Sequence, residues 1–487
     1  MLKTNSKIGL ILKTISISIS AICVIGLFFA GKSPLKNAEN TNKSVTHAQT
    51  ESAVSTVGNM AAIAIPSTLN ITQLVSDATS FYNSLSSSEQ STLQQSYTAT
   101  LGRRWSNLPC GSGCRNGIQL GSLTSTQLTL ALQVIEDVLG TTATNGYQEY
   151  SDITLSEDAL VQAGANSSQY NSGLRWLAFL NAPSETDAWM LQFGGHHYAA
   201  NIAFNDGHVI GVTPFFVALE PATFTLNGTS YGPMEDERDA LREMLAALST
   251  SELATAKLST TFSDCLMSPG ESNGNNNTFP ATKEGLAVSG LSSAQKALIL
   301  AAIENYVEDL EETTAAAIMA TYTDELDDTY IAYTGNGTSG TATSFLSSNS
   351  NYVRIDGPTV WIEFACQNGV VIQNQIHYHS VWRDHEHDYG VDLSGDAIDV
   401  STGINHVDIS REITIYPNPT QEQIVVKLPL QINNARILIT DISGKRVYQG
   451  RDSGESLVVD VKSLSVGSYL LTISTESKIF SGKFIRH

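Results

Sequence analysis

From Ile71 onward, apolar residues return at a helical interval. Ile71, Leu74, Val75, Ala78, Phe81, Tyr82 and Leu85 fall on one face, which predicts an amphipathic helix. A helix-start pattern then recurs in Leu85-Ser-Ser-Ser-Glu89, Leu123-Thr-Ser-Thr-Gln127, Leu248-Ser-Thr-Ser-Glu252 and Leu291-Ser-Ser-Ala-Gln295. In each, a Ser or Thr can cap free backbone N–H groups while the Glu or Gln three residues on returns the bond. The helix from Gln127 is expected to stop at Gly140 in a left-handed turn. The middle of the chain is strand-rich. Trp189 to Phe193 and Tyr198 to Phe204 flank Gly194-Gly-His-His197, and Asn205-Asp-Gly207 signals a tight turn into His208 to Thr213, so a hairpin is predicted. Helical spacing resumes over Met234 to Leu248 and, as a long acidic region, over Leu291 to about Met319. Asn273-Gly-Asn-Asn-Asn277 reads as a loop, and Thr359 to Phe364 and Val370 to Trp382 read as strands. Helices and strands in separate runs predict an α+β domain with mixed helices and antiparallel strands. From about Ile413, short strands alternate with Gly and Asn turns: Ile424 to Leu428, Ala435 to Asp441, Leu457 to Val461, Tyr469 to Ser474 and Lys478 to Ile485. That pattern predicts a small all-β sandwich.

Composition and charge narrow the setting. The 487 residues suit two or three domains, and 41% hydrophobic residues suffice for a core. A formal net charge of -21 argues against nucleic acid as a partner, which needs concentrated Lys and Arg. Lys3, Lys7 and Lys13 precede the apolar run Ile15 to Ala30, and Ala30 and Gly31 are small, as at a signal-peptidase cut. A signal peptide over residues 1–31 is therefore expected, with no stable membrane span after its removal; a single membrane anchor is the competing reading. Residues 32–66 are Asn-, Ser-, Thr- and Ala-rich and read as a disordered linker. The four cysteines that remain point to disulfides in an oxidising compartment: Cys110 with Cys114 across a flexible Gly-Ser-Gly, and by elimination Cys265 with Cys366.

The chemistry concentrates in His377-Tyr-His-Ser-Val-Trp-Arg-Asp-His-Glu-His-Asp-Tyr-Gly390. Residues two apart on a strand share a face, so His377 and His379 project side by side. His196 and His197 are neighbours, and a regular strand would send only one of them to that face; a glycine bulge at Gly194-Gly195 relaxes the limit. His196, His197, His377 and His379 are thus the candidate metal ligands, for a divalent transition metal with zinc the first guess. Glu363, Arg383 and Asp384 are the candidate catalytic side chains. Such a centre would activate water for hydrolysis or lyase chemistry. The alternative is ligand binding or a structural surface role without catalysis. Arg383 with protonated histidines could hold an anion, and Trp189, Trp361, Trp382 and Tyr378 could floor a sugar or peptide site. The expected partner is an extracellular small molecule, peptide or glycan. No Gly-x-Ser-x-Gly elbow, phosphate loop or dinucleotide motif is present in the sequence.

Two resemblances refine this reading. Tyr416-Pro-Asn-Pro419, Asp441-Ile-Ser-Gly-Lys445, Leu464-Ser-Val-Gly-Ser-Tyr469 and Lys483-Phe-Ile-Arg486 resemble the C-terminal sorting domain of the bacterial type IX secretion system. This implies that residues 413–487 engage the secretion machinery, and that the protein passes the periplasm and outer membrane to the cell surface or the medium. Residues from about 70 to 392 resemble the family catalogued as domain of unknown function 3500, through Trp105, Arg115-Asn-Gly117, Trp189, Gly195-His-His197, Thr213-Pro214, Glu220-Pro221 and Glu284-Gly285. The likeness continues in Gly357-Pro358, Ile362-Glu-Phe364, His377-Tyr-His379, Arg383-Asp384 and Asp388-Tyr-Gly390. It implies a domain over 67–395, joined by a linker at 396–412, and no established activity.

Overall fold

A computed structural model describes residues 64–269, 278–390, 413–441, 446–474 and 479–487. The expected signal peptide, nearly all of the expected 32–66 linker, the expected loop at 273–277 and the expected linker at 396–412 lie outside the described residues.

The central region is built on a twelve-stranded sheet. Its long strands are β1 (Arg175–Leu180), β2 (Trp189–Gly195), β3 (Tyr198–Asn205), β4 (Phe215–Leu219), β5 (Tyr330–Thr334), β6 (Tyr352–Asp356), β7 (Val360–Asn368) and β8 (Ile376–Asp384). They lie in the order β1-β2-β3-β4-β8-β7-β6-β5, with every neighbour antiparallel. Short strands Gln94–Gln95 and Leu286–Ala287 close the two ends, and Ile118–Gln119 and His208–Gly211 pair with β1 and β3. Two meanders, one from each half of the region, therefore meet where β4 pairs with β8, with His379 opposite Ala218.

Both faces of the sheet are covered, which is why its strands read as nearly unbroken apolar runs and not as strict alternation. One face buries Phe179, Leu191, Phe193, Val217, Phe364 and Trp382 against helices. Those helices are α1 (Ile71–Asn83), α2 (Ser125–Glu136), α3 (Tyr147–Gln162), α4 (Glu235–Ala246), α5 (Ser293–Val307) and α6 (Glu312–Asp324). The other face packs Met190, Phe216, Ala218, Trp361 and Val381 against irregular segments that contribute Tyr97, Trp105, Cys265, Met267 and Tyr389.

All four predicted capping boxes form, at Ser86/Glu89, Thr124/Gln127, Ser249/Glu252 and Ser292/Gln295. Gly140 is not the left-handed stop expected of it. α2 ends at Glu136, and Gly140 instead lets the backbone approach Glu308, whose carbonyl oxygen would sit 2.2 Å from an added Cβ. The helical region from Leu291 is two helices, because Glu311 caps a new start by accepting from the Thr314 N–H. Cys110 and Cys114 form the predicted disulfide, but Cys265 and Cys366 are separate buried thiols.

The C-terminal region is a five-stranded antiparallel sheet of β9 (Thr414–Tyr416), β10 (Gln423–Asp441), β11 (Arg446–Asp460), β12 (Gly467–Ser474) and β13 (Ile479–Arg486). Register shifts at Lys427/Ile432 and Ile432/Ala435 bend β10, so the two strands expected there are one bent element. The sheet thereby encloses its own core of Ile424, Val426, Ile437, Ile439, Leu457, Val459, Leu471 and Phe480.

Candidate metal centre

Gly195 pairs with Tyr198, so His196 and His197 are the two central residues of the β2–β3 hairpin. His197 takes a positive φ of 65°, and Gly194 has φ 152°. A Cβ on Gly194 would lie 2.2 Å from the Tyr198 carbonyl oxygen, and one on Gly195 would lie 2.3 Å from the Arg175 guanidinium. The glycines are there because the turn is this tight. Two buried arginines hold it. Arg115 donates to the Gly195 carbonyl at 2.6 Å and Arg175 to the His196 carbonyl at 2.5 Å. Burial, then Arg175, lowers the Arg115 guanidinium to about 9. The Ala218 N–H donates to the His197 carbonyl at 2.8 Å and stitches the turn to the middle of the sheet.

A turn, unlike a strand, lets adjacent side chains lie together. The His196 and His197 rings stack with centroids 3.5 Å apart. The His197 ring also lies 4.8 Å from that of His377 and 5.9 Å from that of His379, which are 4.5 Å from each other. His197, His377 and His379 each offer a ligand atom within 4.8 Å of the others'. The Nε2 atoms of His197 and His377 are 3.0 Å apart. His196 turns its Nδ1 to Glu157 at 2.9 Å and belongs instead to a Glu157, His196, His197 group.

Each of the three converging imidazoles has a carboxylate behind its Nδ1. Asp264 is 2.8 Å from His379, Glu157 is 3.8 Å from His197 and Glu220 is 4.0 Å from His377. The Gln367 side-chain amide lies 3.1 Å from the same Nδ1, and with the Nδ1 proton donated to Asp264 it is Nε2 that is left as the ring nitrogen able to ligate. The Nδ1 atoms of His197 and His377 are buried with no direct hydrogen bond. If the two Nε2 atoms share one hydrogen bond, a buried ring N–H is stranded, a costly arrangement. A cation between the Nε2 atoms would take the place of that shared bond and leave each Nδ1 proton directed towards a carboxylate 3.8 or 4.0 Å away. Burial and the neighbouring imidazoles push the His197 and His377 pKa values well below the usual range, so both rings are neutral and fit to ligate.

The candidate catalytic side chains Glu363, Arg383 and Asp384 are each engaged by other partners. Glu363 shares the sheet face of His379 but accepts from the Leu266 and Met267 N–H groups, Tyr352 and Trp361, at 2.6, 2.8, 2.6 and 2.9 Å. Arg383 pairs with Asp388 at 2.6 Å and donates to the Met267 carbonyl. Asp384 accepts from Tyr322, His387 and the Glu386 and His387 N–H groups. These are bonds that tie irregular segments to the sheet. Trp361 and Trp382 are buried packing residues, not a ligand floor. The residues that sequence reasoning missed are Asp264, Glu157, Glu220 and Gln367. Only Glu220 carried a signal, as part of Glu220-Pro221.

The family model described as "Protein of unknown function (DUF3500)" matches residues 67–391. The chain belongs to that family. A second model, for the secretion system C-terminal sorting domain, matches residues 414–487. This tail marks the protein for export by the type IX system, to the cell surface or beyond. No helix among the described residues is long and apolar enough to cross a membrane. No curated protein matches the chain significantly. A solved structure reported for PorZ, an essential surface component of the type-IX secretion system of Porphyromonas gingivalis, is similar over 32% of this chain at 12% identity and a TM-score of 0.14. The match spans 16% of that chain's length.

Proposed function

We propose that this exported protein carries a three-histidine transition-metal centre, with His197, His377 and His379 as ligands, and acts as a metal-dependent hydrolase or lyase. The observation that supports this most is the convergence of three buried imidazoles, each offering a nitrogen within 4.8 Å of the others', with Asp264 bonded behind His379. Three nitrogen donors suit zinc or another first-row metal and leave a fourth position for water, whose pKa a bound metal lowers towards neutrality. Asp264 and Gln367 would orient His379, and Glu157 would keep His196 stacked on His197. The full chain, purified without chelator, should hold near-stoichiometric transition metal by elemental analysis. The His377→Ala/His379→Ala variant should lose it while keeping its circular dichroism. A metal-free wild-type chain would end the proposal.

A second reading, a metal-held surface protein without catalysis, is favoured by burial, since no histidine of the four exceeds 8% exposure. Cobalt substitution separates the two. A visible spectrum that changes with added azide means an open coordination position and supports catalysis, whereas an unchanged spectrum supports the structural centre.

A further inference from the structure

On the helix-covered side of the sheet, the first turns of α3 and α4 and the segment after α5 bring Glu149, Glu237 and Asp309 together. One oxygen of each lies within 4.8 Å of the others. The three residues are 0%, 2% and 1% exposed. Both Glu149 oxygens and one Glu237 oxygen lack a hydrogen-bond donor, while Asp309 accepts from the Gly146 N–H at 2.8 Å. Among the described residues the ion pairs of lysine and arginine are made with other acids. Three ionised carboxylates with no cation would be untenable in this core. Burial, then mutual repulsion, pushes Glu149 and Glu237 well above the carboxylate range, and burial raises Asp309 to about 6.

An independent group points the same way. Tyr198, from β3, is fully buried and its hydroxyl has no partner. Its ring lies 5.0 Å from that of Tyr150, the neighbour of Glu149 in the first turn of α3, and after burial Asp309 and Glu149 are what most oppose its ionisation. The donors are thus all oxygen, the set that hard cations take and that zinc-type histidine sites do not resemble.

We propose that Glu149, Glu237 and Asp309, on the side of the sheet where the Tyr198 hydroxyl is buried without a partner, form a second metal site for a hard divalent cation of the Ca²⁺ or Mn²⁺ kind, separate from the histidine centre. Entry of the cation releases the protons on the carboxyls to solvent. It then pins α3, α4 and the segment after α5 to one another.

The test uses the full chain, stripped with a chelator and then titrated with CaCl₂, MnCl₂ or MgCl₂. Ca²⁺ or Mn²⁺ should raise Tm saturably, by at least about 3 °C at millimolar ion, in wild type and equally in His377→Ala/His379→Ala. The spectrum of bound Mn²⁺ decides between the two ions if both act. Glu149→Gln/Glu237→Gln should lose the shift while retaining the transition metal of the histidine centre. If neither Ca²⁺ nor Mn²⁺ shifts wild type, and none is retained on purification, the carboxyls satisfy one another by sharing protons and the site does not exist. The wild-type titration alone gives this answer if the double variant does not fold.

Discussion

At the scale of single residues, the centre depends on atoms that no spacing rule would select. Asp264 is the best placed of the three outer carboxylates. Burial would raise its pKa, but the bonds from His379 and the Cys265 N–H hold it below its ordinary value. Asp264→Asn should therefore weaken metal affinity by about 10–100-fold while leaving Tm of the metal-free chain nearly unchanged, measured by competition with a chromogenic chelator. Gly194→Ala should cost about 2–5 kcal/mol in urea unfolding, because a positive φ and a backbone clash combine at one position. A pH effect follows from His377. Burial and the neighbouring imidazoles hold its folded pKa well below the ordinary histidine value of about 6.5, so the folded state binds fewer protons than the unfolded state below that pH. The stability it contributes is complete above about pH 6.5 and is lost as pH falls. The metal-free wild type should lose up to about 1.4 kcal/mol per pH unit relative to His377→Gln between pH 6.5 and 5. A parallel slope in the two chains would contradict the neutral, buried ring. The histidine pairs were legible in the sequence, because His-x-His on a strand must share a face. Their outer partners were not, since Glu157 and Asp264 reach the centre through pairings made only in the folded chain.

At the scale of elements, local chemistry was read well wherever it is local. The four capping boxes satisfy backbone donors within three residues, so sequence alone specifies them. Ser292→Ala should cost about 1 kcal/mol and lower Tm by a few degrees, in calorimetry, because the Gln295 N–H in the first turn of α5 loses its acceptor. Failures came where an element answers to a distant neighbour. Gly140 was read as a helix stop and proved to be a contact with Glu308. The break between α5 and α6 contains neither Gly nor Pro and depends on Glu311 turning back to cap. His196 and His197 were read by strand alternation, but a two-residue turn obeys a different rule and stacks them. Cys265 and Cys366 were paired by counting alone, and each is packed as a thiol on a different face of the sheet.

At the scale of the whole molecule, the two matched regions have separate hydrophobic cores among the described residues. Deleting residues 413–487 should abolish export from the producing cell, yet leave the metal content and Tm of the central region within about 2 °C of the full chain's. Co-loss of folding would show that the two depend on each other. The twelve-stranded sheet explains why the site lies where it does: two meanders join at β4 and β8, and the joint carries His379 beside the His197 turn. By itself the sequence determined the helix starts, the hairpin turns, the α+β and all-β division and the export tail. These rest on periodicity, capping and turn chemistry, which act over a few residues. Only tertiary structure decided which histidines meet, which carboxylates stand behind them and which acids are left together in the core. Those are contacts between positions far apart in the chain, created when strand pairing and burial bring their side chains to one place.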